Sequence, residues 1–88
     1  MLDKELFVMG VDDPKTGYRR VHHLGEIKEV KMTYDAMLNT ANKAGLNKNA
    51  LFLLPFPPDD EVVEKCKLTK SFLQWLNEET KPLVNLIK

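Results

Sequence analysis

The chain has 88 residues, 43% of them hydrophobic and 30% charged, with 13 Lys plus Arg balanced by 13 Asp plus Glu. That length makes one domain, residues 1–88, and the hydrophobic share argues against wholesale disorder. The zero net charge removes any whole-protein argument for nucleic acid or an anionic membrane, and a single cysteine, Cys66, rules out an internal disulfide.

Glu5 to Val11 reads Glu-Leu-Phe-Val-Met-Gly-Val. Its apolar residues fill both faces, as in a short central strand covered on both sides. Asp12 to Gly17 is dense in turn formers, so the first strand opens a hairpin. The second strand begins at Tyr18 and runs to about Leu24. Strict alternation puts Arg20 and His22 on one face and Arg19, Val21 and His23 on the other. Gly25 is read as a bulge that re-phases a continuation over Ile27 to Met32. This strand is polar and suits a sheet edge.

Thr33 is the expected N-cap of the first helix, with Tyr34, Met37, Leu38, Ala41 and Ala44 at helical spacing. Gly45 stops it as a left-handed C-cap, and Leu46 folds back onto Ala41. The run Ala50 to Pro58 carries no charge and no side-chain hydrogen-bonding group, so it must be buried. Leu51 to Phe56 is its third strand. Asp59, Asp60 and Glu61 open a second helix, with a break near Thr69 and an end near Glu79 to Lys81, ahead of Pro82. Its apolar stripe includes Cys66, read as a small buried residue. The apolar tail, Leu83 to Lys88, is a helical turn or a fourth strand.

The expected fold is therefore a single small α+β domain in β-β-α-β-α order. Its sheet is mainly antiparallel, with three strands in the order 2-1-3, or four if the tail adds one. Two helices pack on one face. That leaves the other face of the doubly apolar first strand to be covered by the tail or by a second subunit.

No sequence feature names a reaction. His22 and His23 alternate across a strand, so they share no site, and no zinc-ligand spacing is present. The carboxylates at 59, 60, 61 and 64 have a plain electrostatic reason to open a helix. No glycine-rich phosphate loop or nucleophile motif occurs, and no cofactor is expected. The stretch from Thr40 to Leu51 looks like the turn of a helix-turn-helix, with Ala41, Gly45, Leu46 and Leu51 as its small residue, turn glycine and apolar anchors. The resemblance implies a DNA-reading helix next, but Phe52 to Phe56 is too apolar to face DNA.

The surface that remains is the basic hairpin. Tyr18, Arg19, Arg20, His22 and Lys28 are the expected partner-binding residues, because Arg and Tyr anchor protein interfaces and an edge strand can accept another strand. Leu83, Leu86 and Ile87 are the expected self-association surface, giving a homodimer through the C-terminal tail. The expectation is a non-enzymatic protein-binding module, an inhibitor or adaptor, in the reduced cytoplasm and away from membranes. The alternative is a nucleic-acid-binding regulator using the same hairpin.

Overall fold

A computed structural model describes residues 5–45 and 47–87, without the side chains of Lys48 and Ile87. The expected fold-back of Leu46 lies outside the described residues. The chain forms strand β1 (Leu6–Asp12), strand β2 (Arg19–Gly25), helix α1 (Ile27–Ala44), a 3-10 turn (Lys48–Ala50), strand β3 (Leu51–Phe56), short helix α2 (Asp60–Lys65) and helix α3 (Lys70–Ile87). The sheet is antiparallel in the order β2-β1-β3, as the sequence implied.

The hairpin turn is tied by its own polar groups. Asp13 N–H donates to the Tyr18 carbonyl at 2.8 Å, Gly17 N–H donates to the Asp13 carbonyl at 2.8 Å, and the Asp13 carboxylate accepts from Lys15 N–H at 3.0 Å. The β1–β2 register shifts between Met9 and Gly10: Met9 faces His23 while Gly10 faces Val21, leaving His22 as the extra residue. The bulge therefore sits at His22, not at Gly25.

Helix α1 begins at Ile27 with Glu26 as its N-cap, seven residues earlier than the Thr33 cap suggested, and no strand runs through 27–32. Val30, Tyr34, Met37 and Ala41 are spaced 4, 3 and 4, which is one continuous helical stripe. Val30 and Ala41 are buried on it. Thr33 lies inside the helix and donates its hydroxyl back to the Glu29 carbonyl at 3.4 Å. Gly45 caps the helix with φ 71° as expected.

The helices do not share a face. Val8, Leu24 and Leu54 pair across the sheet and form one core with Phe72 and Leu76 of α3. Met9 points the other way, towards the side where His23 meets Thr33 of α1. Both Val8 and Met9 are 0% exposed. The sheet is thus sandwiched, with α1 on one side and α3 on the other. The doubly apolar β1 is covered from within the chain, because each face receives its own helix.

Helix α2 is capped by Asp59, whose Oδ1 accepts from Val62 N–H at 2.9 Å. It ends in a Schellman motif: Leu68 N–H reaches the Val63 carbonyl and Lys67 N–H the Glu64 carbonyl, with Lys67 left-handed at φ 55°. Cys66 occupies the C-cap and is exposed, not buried on a stripe. The break near Thr69 is real, and Thr69 itself caps α3 through Phe72 N–H at 3.0 Å. Helix α3 runs through Pro82 instead of stopping before it, so the tail is neither a separate turn nor a strand. Proline removes one helical hydrogen bond. The packing of Leu83 and Val84 against the core and the buried Thr80 hydroxyl, which donates to the Leu76 carbonyl at 2.7 Å, keep the helix going.

Gly10 is the tightest point of the sheet. A Cβ there would run into the Arg20 carbonyl oxygen and stand 3.0 Å from both the Phe52 ring and Val21 Cα. Gly10→Ala is expected to lower stability by about 1–3 kcal/mol through overpacking. Lys67→Gly is expected to raise it by about 0.5–1 kcal/mol by relieving the left-handed backbone. Urea midpoints of the two variants beside the parent chain check both signs.

Candidate functional site

The bulge decides which hairpin residues stand together. Arg19 pairs with Asp12 and lies on the α3 side; Arg20 pairs with Val11 and lies on the α1 side. Because His22 is the inserted residue, it falls on the same side as His23. His22 lines a groove with Met37 and Ala41 of α1, and His23 Nδ1 meets the Thr33 hydroxyl of α1 at 2.9 Å. The two histidines thus share the α1 face, against the simple alternation rule. Among the described residues, a side-chain hydrogen bond ties His23 there and none ties His22.

Arg19 is occupied internally. Its Nε donates to Asp12 Oδ1 at 2.9 Å, and its guanidinium lies 5.2 Å from the Trp75 ring centroid and 5.7 Å from that of Phe72. Those rings meet Phe52 edge-on, with centroids 5.4 Å apart for Phe52–Phe72 and 6.2 Å for Phe52–Trp75. Phe52 in turn needs the bare backbone of Gly10 beneath it. Arg19 therefore closes one end of the α3-side core.

Arg20 is exposed and has no ion pair or hydrogen-bonding partner among the described residues. Tyr18 is 47% exposed at the edge of the same groove as His22. Lys28 stands apart from the strand, exposed in the first turn of α1. Of the tail residues, Leu83 packs against the α3-side core, while Leu86 is 82% exposed. The Ile87 side chain lies outside the described residues. The segment that looked like a helix-turn-helix continues as a 3-10 turn and β3, so no recognition helix follows α1.

The groove was not legible as such in the sequence. It is bounded by Val11 and Leu51 from the sheet, Met37 and Ala41 from α1, and Tyr18 and His22 from the hairpin, with a volume of ≈ 470 Å³. Ala41 was visible as a helical-stripe position and as the small residue of a turn, and Val11 only as part of a strand, neither as the wall of a groove. No family model matches this chain, and neither a curated protein nor a solved structure matches it. No helix among the described residues is long and apolar enough to cross a membrane. Among the same residues, no group of three or more His, Cys, Asp and Glu is placed to hold a metal ion.

The environment of His22 has a measurable consequence. Burial of part of the ring, and secondarily the positive charge of Arg20, hold its pKa below the ordinary 6.5. The folded state then binds fewer protons than the unfolded chain just below pH 6.5, so this contribution to stability is present at higher pH. It is lost as pH falls through that value towards the lower folded pKa. His22→Gln is expected to flatten the fall in urea midpoint between about pH 7.5 and about pH 5.5. An identical slope in the variant and the parent chain would refute this account of the ring.

Proposed function

We propose that this chain is a small non-enzymatic protein-binding module, of inhibitor or adaptor type, that meets its partner with the α1-side face of the hairpin. The observation carrying this reading is Arg20. It stands exposed, with no partner among the described residues, beside Tyr18 and His22 at the unpaired outer edge of β2. Arg and Tyr are residue types that dominate binding energy at protein interfaces. Lys28, in the first turn of α1, stands apart from this face and is not part of it. Arg19 supports the face from behind, because its charge is spent on Asp12 and the aromatic rings.

Strand addition at β2 is a poorer mode than side-chain contact. The bulge at His22 and the neighbouring arginines interrupt the regular edge that a partner strand needs. The reducing cytoplasm suits the module, whose one cysteine, Cys66, is an exposed free thiol. The same reading assigns self-association to the end of α3 through Leu86. Sedimentation of the parent chain and Leu86→Glu tests that arm, and the same monomeric mass for both removes it.

Affinity capture from native extract, with and without nuclease, tests the main reading. The full chain is compared with a Tyr18→Ala, Arg20→Glu double variant. The expected result is a nuclease-resistant protein partner retained by the parent chain and lost by the double variant. Capture abolished by nuclease, with affinity falling by about one log-log unit per phosphate contact as salt rises, would instead favour a nucleic-acid regulator.

A further inference from the structure

The groove between the hairpin and α1 has the makings of a small-ligand site. Its ≈ 470 Å³ falls within the range of pockets that hold small molecules, and Val11, Met37, Ala41 and Leu51 give it an apolar lining. One formal charge lines it, the Asp13 carboxylate, and that group is turned back into the hairpin turn to accept from Lys15 N–H at 3.0 Å. The open charge on this side belongs to Arg20. It stands outside the lining itself, but it pairs in register with groove-lining Val11, acts electrostatically on groove-lining His22, shares their face of the sheet, and has no anion among the described residues. A guanidinium fork left unpaired beside an apolar cleft is complementary to a carboxylate on an apolar body. A cationic head would be repelled by Arg20, and a neutral one would leave the arginine unused.

We propose that this groove binds a medium-chain carboxylate, with its hydrocarbon chain between Val11, Ala41 and Leu51 and its carboxylate on Arg20, next to Tyr18 and His22. The lining and the free arginine carry this inference without the protein-contact reading. A groove-blocking change on α1 therefore tests it while leaving the hairpin edge intact.

The test uses the full chain and three probes of equal chain length: octanoate, octanol and octylamine. Amide chemical shifts are followed by NMR at neutral pH. Octanoate is expected to move the amides of Val11, Ala41 and Leu51 and to bind about fivefold more tightly than octanol, the ratio expected when a charge-assisted hydrogen bond replaces a neutral one. Octylamine is expected to bind most weakly. Arg20→Gln should bring octanoate down to the octanol level and leave octanol unchanged. Thr40→Trp places a bulky ring from an exposed groove-lining position and should block all three probes. Ala36→Trp does the same from the previous turn if Thr40→Trp does not fold. Absence of shifts, shifts confined to other surfaces, or equal affinity for the three head groups each overturns the proposal.

Discussion

Strand β1 has to be dry on both sides. Val8 and Met9 are consecutive, point to opposite faces and are both fully buried. Each contributes about 1.5–3 kcal/mol only if its own face is covered. A three-stranded sheet cannot meet that demand with one layer of helices. Helix α1 therefore closes over Met9, while α3 closes over Val8. The strand order follows from the same constraint. Only the central position gives β1 neighbours on both edges as well as covers on both faces.

Gly10 extends this logic to the next residue. Its missing side chain lets Phe52 lie against β1, and Phe52 then meets Phe72 and Trp75. Arg19 closes that cluster from the solvent side and is anchored by Asp12 of β1. A strand, its neighbour and a distant helix are thus joined by aromatic packing over one small backbone position. Among the described residues, no such cluster forms on the opposite face. The contacts there involve smaller side chains such as Ala41 and Ala50, and a groove remains. The two faces are thus filled unequally, by an aromatic cluster on one and by smaller side chains on the other.

Composition along each segment was enough to read β1, the hairpin, β3 and the order β2-β1-β3. Those elements depend on local turn chemistry and on how apolar each strand is. The start of α1 was misread because Gly25 and the β-branched residues Ile27 and Val30 imitate a strand, although Val30, Tyr34, Met37 and Ala41 already keep helical time. Pro82 was misread as a stop because its local cost is visible in the sequence, whereas the packing that offsets it, through Leu83 and Val84, depends on tertiary contacts. Arg19 and Arg20 could not be told apart by residue type. Their fates depend on register, and register here carries an inserted residue that also brings His22 onto the face of His23. The candidate residues were thus legible as a list, but their division between a tethered and an open surface was not.

The two borders of the sheet differ in how they resist unwanted neighbours. Along β2 the ladder is broken by an insertion and flanked by cations. Along β3 there is no charge, but Pro55 lies opposite Phe7 in the ladder. A proline is compatible with a strand where its nitrogen faces away from the adjoining one. By two-residue alternation the outward row of β3 is then Leu51, Leu53 and Pro55, and its last member has no hydrogen to give. A chain trying to template itself there finds a gap in the donors, so this one ring guards an otherwise greasy margin against edge-to-edge association.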